Sequence, residues 1–355
     1  MSIKFFSYRI KVALCISLFL MFFSSSQLSQ VNKTATSNSS SSLPSQYPQM
    51  TNAIADDMGK TYSYYMFQLF LAQELSKKFP EIAADLSKAQ LHFDRTFKPS
   101  IITIDAIMTK ENTSWVADKP AFLESAKDKI ASLNVKEAQA KAFVNELTSR
   151  ANGKISSPIL ETLLIYNPEF LKQPVEEFIR DYKQTFRTKD HPKSKGIDLQ
   201  IDFPRSWKIL EGKRPNVIST LKSENGRGDA SVLFIIKDLP INRPITPSEI
   251  KELLHPTSLK ELVPETGKFI SSTPVKLDGL SGAVVKYDME QLAVDIPLIM
   301  RFMMYVVPYK NKLIMIQCGV ALLKSEEAIL NKRFVHFEPL FKLIVNSLVV
   351  QNQYQ

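Results

Sequence analysis

Cysteine, glycine and histidine are all scarce in this 355-residue sequence, and each scarcity removes a class of chemistry. Only Cys15 and Cys318 are present. Cys15 lies inside an N-terminal apolar run, so a chain that loses that run keeps a single thiol and forms no intramolecular disulfide. Cys318 sits in "KLIMIQCGVALL", an apolar strand-like run that predicts an inert, buried thiol, because reactive thiols need an accessible, electropositive setting. The ten glycines include no GxGxxG and no GxxxxGK, which excludes the phosphate loops that bring backbone N–H groups close to an anion. His92, His191, His255 and His336 are far apart, and no HExxH or paired CxxC appears, so no metal site is legible. Long like-charge runs are missing too. The formal charge is +9, and three of those charges, Lys4, Arg9 and Lys11, belong to the extreme N-terminus. The remaining +6 is scattered among acidic residues, without the basic stripe that nucleic-acid binding requires.

What is present starts with an export signal. Lys4, Arg9 and Lys11 precede "VALCISLFLMFF", Val12 to Phe23, and Ser24 and Ser26 occupy the −3 and −1 positions of a cut before Gln27. A membrane span needs about 20 apolar residues, so a cleaved signal over residues 1–26 is preferred to a retained anchor. The chain is thus expected to be exported, periplasmic or secreted, with no integral membrane span after cleavage. Residues 27–50, "QLSQVNKTATSNSSSSLPSQYPQM", are rich in Ser, Asn, Gln and Thr and too poor in apolar groups to order themselves. They read as a tether. Asn32, Asn38 and Asn112 begin Asn-x-Ser/Thr sequons.

From residue 51 to 187 the apolar period is helical. Tyr62, Tyr65, Met66 and Leu69 form one stripe, Phe93, Phe97, Ile101, Ile104 and Met108 a second, and Val175, Phe178, Ile179, Tyr182 and Phe186 a third. Ser157-Pro158 and Asn167-Pro168 read as capped helix starts. About five helices packed on one another are expected. Residues 188–196, within "RTKDHPKSKG", are polar and proline-broken and serve as a linker. After them the period changes to two: Ile197, Leu199, Ile201 and Phe203 face one way, Asp198, Gln200 and Asp202 the other. Further strands are predicted at 217–222, 231–236, 269–277, 283–289, 298–307 and 312–320. Asp278-Gly279 and "PYKN" supply hairpin turns, and Thr246-Pro247-Ser248-Glu249 a helix-starting capping box. A last helix carries Phe334, Phe337, Phe341, Ile344 and Leu348, with Pro339 expected to kink or restart it. Residues 197–355 therefore read as an antiparallel sheet flanked by helices, an α/β/α sandwich. The whole chain is α+β, with an all-helical domain first.

The sheet half resembles the PsbP/Mog-type fold. The resemblance rests on Phe203-Pro204-Arg205-Ser206-Trp207, on Asp278-Gly279-Leu280-Ser281-Gly282, and on a closing helix from Phe337 to Leu348. It covers about 160 residues, Ile197 to the C-terminus. The helical half is similar to regions of exported bacterial proteins. Members of the fold include extrinsic photosystem subunits, a Ran-binding protein and bacterial envelope proteins, mostly non-catalytic. The resemblance implies binding or scaffolding, with no catalytic residues to carry over.

The residues themselves agree. "DGLSG" lacks the glycine spacing of a nucleophile elbow and follows a hairpin strand, so Ser281 is a turn residue. Arg227-Gly228-Asp229 spells an adhesion tripeptide at a hairpin tip, yet glycine and aspartate are what the turn needs. Asp56-Asp57, Glu176-Glu177 and Glu326-Glu327 lie near helix starts, where the dipole favours negative charge. The expectation is an exported, non-enzymatic binding or scaffold protein with a protein or envelope partner, no cofactor, no metal and no nucleic acid. A lipid or small-ligand carrier, and behind it a hydrolase with a dispersed site, are the alternatives. Trp207 is expected to anchor the sheet core. Arg205, Trp207, Lys208, Lys213 and Arg214 form the candidate binding rim.

Overall fold

Thr51 opens the first helix by accepting a hydrogen bond from the Ile54 amide at 3.3 Å, the capping that an orphan N-terminal N–H requires. The computed structural model describes residues 50–355 apart from 294 and 295, and for Thr113 the backbone alone. The expected signal, the tether to residue 49 and the sequons at Asn32 and Asn38 lie outside the described residues. Helix α1 (Asn52–Lys78) buries Ile54, Met58, Tyr62, Tyr65, Ala72 and Leu75. Helix α2 (Ala83–Glu111) answers with Phe93, Phe97, Ile101, Ile104 and Met108 and continues through Pro99. The second stripe is wholly core; of the first, Tyr62 and Tyr65 are buried, while Met66 and Leu69 pack against the core half-buried. Asn112 caps α3 (Thr113–Ala131), accepting from the Ser114 amide at 3.1 Å. Then follow α4 (Glu137–Ala151), α5 (Ile159–Ile165), α6 (Pro168–Lys172) and α7 (Val175–Ile179). Asn167 caps α6 as predicted, accepting from the Glu169 amide at 3.0 Å. Ser157 caps nothing; α5 starts one residue late, with Pro158 in the capping position. Every residue of α5 is buried, Glu161 included, so this short helix carries a carboxylate into the interior.

The third predicted stripe is not one helix. Helix α7 ends at Ile179, Asp181 takes a φ of +66°, and the chain leaves as strand β1 (Lys183–Arg187). Tyr182 stays with the helical core, against Phe97 and Phe170. Phe186 crosses to the sheet core, its ring 5.1 Å from Phe234. Two apolar faces, four residues apart, serve two different cores, and a helical period cannot tell that from a single stripe.

Strand β1 pairs antiparallel with β2 (Leu199–Pro204). Strands β3 (Lys208–Glu211), β4 (Val217–Lys222) and β5 (Ala230–Asp238) form a meander. Helices α8 (Pro247–Leu253) and α9 (Pro256–Glu261) follow, the first started by the predicted capping box between Thr246 and Glu249. A second meander runs through β6 (Gly267–Leu277), β7 (Leu280–Ala293), β8 (Ile296–Tyr309) and β9 (Lys312–Leu323). Helix α10 (Glu327–Asn346) and β10 (Val349–Val350) close the chain. Pro339 sits inside α10, which neither stops nor restarts there. The β5–β9 pairing joins the meanders into one antiparallel sheet, ordered β3-β4-β5-β9-β8-β7-β6, and β1-β2-β10 make a smaller one.

Alternation along β8 shows how the large sheet is buried on both faces. Met303, Tyr305 and Val307 join α10 and the small sheet in one core, while Phe302, Met304 and Val306 pack beneath α8 and α9. The fold is α+β, a helical region followed by an antiparallel sheet flanked by helices. Among the described residues no helix is long and apolar enough to cross a membrane. Asp278 and Gly279, with φ of +47° and +78°, form the expected two-residue hairpin turn. Asp278 also accepts hydrogen bonds from the Val350 amide, Gln353 and the Tyr354 hydroxyl, tying down the C-terminus.

Cys318 is fully buried in β9, and burial raises its thiol pKa well above the ordinary value. A maleimide should therefore label this thiol only after the protein is unfolded. Prompt labelling of the folded chain would show a breathing sheet centre.

Candidate functional site

The described residues belong to one compact unit, and a cleft of about 640 Å³ opens where the helices meet the small sheet. Four stretches build it. Helix α2 gives His92 and Thr96; the turn after α4 gives Asn152, Gly153 and Lys154. The α7–β1 connection adds Arg180 to Lys183, and the β2–β3 turn adds Arg205. Gly153 is required at its place: its φ is +78°, and a Cβ there would stand 2.9 Å from the Tyr182 ring. Tyr182 is held by Thr96, and burial raises its phenol pKa.

Charge in the cleft is mostly positive. Lys154, Arg180, Lys183 and Arg205 line it, with Asp181 as the only lining carboxylate. Arg180 is answered from behind by Glu169 and Glu176, and Lys183 by Asp181 at 3.2 Å and Asp202 at 3.9 Å. Arg205 stands 3.5 Å from Glu161, and its Nε makes no hydrogen bond. Lys154 is exposed and has no ion-pair partner among the described residues. The arrangement can hold an anionic group by charge and by Arg205's fork of donors. Among the described residues no cluster of three or more His, Cys, Asp or Glu side chains could hold a metal ion.

Behind the cleft lies a polar junction between helices and sheet. Glu177 of α7, 5 % exposed, accepts from the Ser206 amide at 2.8 Å and from its hydroxyl at 2.7 Å. Burial pushes its carboxyl up to about 7, against the pull of those hydrogen bonds and with help from nearby Glu161. The Ser206 carbonyl accepts from the Asn225 amide at 2.7 Å. The "SENGRGD" turn that holds Asn225 is fixed at both ends. Arg227 reaches Asp57 of α1 at 3.4 Å, and Asp229 binds Arg333 of α10 at 2.5 Å. The adhesion tripeptide is therefore spoken for; Asp229 is clamped rather than displayed.

The structure scatters the sequence-derived rim. Arg205 lines the cleft. Trp207 is 4 % exposed, with its ring edge-on to Phe337 and Phe341; it is a packing residue and offers no face to a ligand. Lys208 is exposed at the start of edge strand β3. Lys213 and Arg214 are exposed in the turn at the other end of β3. Four of the five thus keep access to solvent, at three places.

The histidines are structural or peripheral. His191 accepts from the Lys193 amide, and His255 from the Thr257 amide, each capping a short helical turn. His336 packs on Phe337, and burial lowers its pKa. His92 alone reaches the cleft. Sequence reasoning missed Lys154, Arg180 and Lys183, because isolated cations at turns carry no pattern. It placed Glu177 at a helix start, and no sequence signal showed that this start is buried.

No family model matches the chain, and no curated protein matches it. Solved structures are similar to its C-terminal half. Cyanobacterial PsbP (CyanoP) from Synechocystis sp. PCC 6803 is 14 % identical with a TM-score of 0.31, over 48 % of this chain and 92 % of its own. LpqN of Mycobacterium tuberculosis, involved in cell envelope biogenesis, is 13 % identical with a TM-score of 0.30, over 49 % and 95 %. The Saccharomyces cerevisiae Ran-binding protein Mog1p is 10 % identical with a TM-score of 0.30, over 47 % and 95 %. The half they cover is the one whose sequence resembles the PsbP/Mog type. At such identities and scores they transfer no partner and no residue role.

Proposed function

We propose that the protein is an exported, non-enzymatic binding or scaffold protein whose cleft receives an acidic group of a protein or envelope partner. The observation that carries this reading is the convergence of Lys154, Arg180, Lys183 and Arg205 on one cleft with a single lining carboxylate. Its polar lining suits a charged group better than an acyl chain, which asks for an apolar pocket. The division into a helical domain, residues 51–187, and a sheet domain, residues 197–355, is part of the proposal, as is export on the strength of residues 1–26. In it, the helical domain supplies most of the cleft lining and the sheet domain contributes Arg205.

Cross-linking in intact cells tests it. The wild-type chain should give a defined cross-linked species, and Lys154→Glu should reduce its yield several-fold while leaving the thermal melt unchanged, because Lys154 is exposed and makes no ion pair. Equal yields from the two chains would remove the cleft from partner capture. A lipid mass retained in native mass spectrometry would replace this reading with the carrier.

A further inference from the structure

The turn end of the seven-stranded sheet gathers cations from four separate stretches of chain. Lys193 and Lys195 come from the loop before β2, and Lys213 and Arg214 from the β3–β4 turn. Lys237 lies near the end of β5, while Lys310 and Lys312 come from the β8–β9 turn. Strand register sets them side by side. Lys312 is the cross-strand partner of Asp238, and the Ile236 amide donates to the Asn216 carbonyl, placing the β3–β4 turn beside the end of β5. Lys195 binds both Asn216 and Asp238, and Lys193 binds Glu211 and the Gly212 carbonyl.

Two carboxylates answer these seven cations, and each is already shared. Glu211 serves Lys193 and His191; Asp238 serves Lys195 and Lys312. Lys213, Arg214 and Lys237 are exposed and have no ion-pair partner among the described residues, and Lys310 is exposed above the Tyr309 ring. The surface therefore has five more positive charges than negative ones. Along the helices, by contrast, many lysines meet an acid three or four residues away.

We propose that this end of the sheet docks an acidic segment of a protein partner. Charge complementarity of this kind steers encounter and fixes orientation. None of the exposed large apolar side chains belongs to these turns, so the surface has nothing to place in the interface of a bilayer, where charge alone binds weakly. Lys213 and Arg214 are adjacent, and Lys237 lies one residue before the end of the strand beside them. The surface shares no residue with the cleft, so either can fail without the other.

The test is fluorescence anisotropy of the full chain with a fluorescein-labelled oligoglutamate peptide, at low and at physiological salt. Binding should weaken with salt, and Lys213→Ala/Arg214→Ala/Lys237→Ala should raise the Kd by about tenfold or more. Lys332→Ala, an exposed cation of α10 outside both surfaces, should leave it unchanged. Equal affinity in the triple variant overturns the inference. So does loss of binding in Lys154→Ala alone, which would put the acidic segment in the cleft. Vesicles of phosphatidylcholine with phosphatidylglycerol form the last arm. Tighter binding to them than to the peptide, lost in the same triple variant, would assign the surface to lipid and also overturn it.

Discussion

Replacing Glu177 with glutamine should make the chain more stable than wild type at about pH 8, by about 3 kcal/mol, and nearly equal to it at about pH 4.5. The cause is burial. The Glu177 carboxyl sits between α7 and the β2–β3 turn with its pKa pushed from 4.5 up to about 7. Between those two values the folded chain holds a proton that the unfolded chain has lost. Stability from this group is therefore present at the acid end and lost as pH rises through about 7. Glutamine keeps an acceptor for the Ser206 amide and has no charge to desolvate. Glu224, also raised to about 7 by burial and by Asp229, acts with the same sign, so Glu177→Gln/Glu224→Gln should flatten the profile further. His336 opposes them, because its lowered pKa favours the fold as pH rises. Asp198, Glu211, Asp238 and Glu249, held low by their cationic partners, change stability only below the ordinary carboxylate range. The comparison is thus between wild type and variant, by denaturant unfolding at the two pH values. Parallel curves would mean that Glu177 ionises freely in the folded chain, and the junction would lose its acid preference.

That acid preference belongs to the contact between helices and sheet. Glu177–Ser206, Arg205–Glu161 and Arg227–Asp57 all cross it, and Asn225–Ser206 braces its sheet side. Buried polar contacts of this kind favour one arrangement more than they add stability, since each desolvated group offsets part of what its hydrogen bond contributes. They also hold Arg205 at the edge of the cleft. The cleft and the junction meet at Arg205: the outer side presents cations, and the inner side buries Glu161 and Glu177 beside it.

The sequence carries the long helices and most strands well, the helices and half-buried strands through the period of one apolar face and the central strands through apolar runs bounded by turn residues. Val217–Lys222 matches its predicted limits, and α2 follows the stripe from Phe93 to Met108. The elements it hides are those whose partners are distant. Strand β1 is five residues long and takes its identity from β2. Strand β3 reads as a loop, because its burial is slight and its pairing comes from β4. The cleft was hardest to see. Arg205 was named for its place beside Trp207, yet it lines the cleft with Lys154 and Arg180, which lie far off in sequence and join it only through the fold. Lys213 and Arg214 were legible as exposed cations. Their company, Lys195, Lys237 and Lys312, depends on strand register, which no local pattern encodes.

Trp207→Ala should destabilise the sheet by about 3–5 kcal/mol, the range for removing a large aromatic from a packed core. The indole is 4 % exposed, meets Phe337 and Phe341 of α10 edge-on at 6.4 Å each, and shares their core with Phe203 and Phe234. Its backbone is committed as well: the amide donates to Pro204 and the carbonyl accepts from Gln184. Truncation would leave a cavity that α10 cannot fill without giving up its own contacts to the sheet. The chain has only two tryptophans, and Trp115 packs against Tyr62 in the helical core. In the variant, Trp115 fluorescence therefore reports the helices alone, while circular dichroism follows both parts. Coincident transitions at lower denaturant would show that junction contacts make the helices depend on the sheet; a separate, unshifted Trp115 transition would show two domains that unfold independently. A loss below about 1 kcal/mol would deny Trp207 its place as an anchor. Lys213→Glu/Arg214→Glu, a few residues further on, should leave both transitions where they are, because those side chains touch only solvent and whatever binds there.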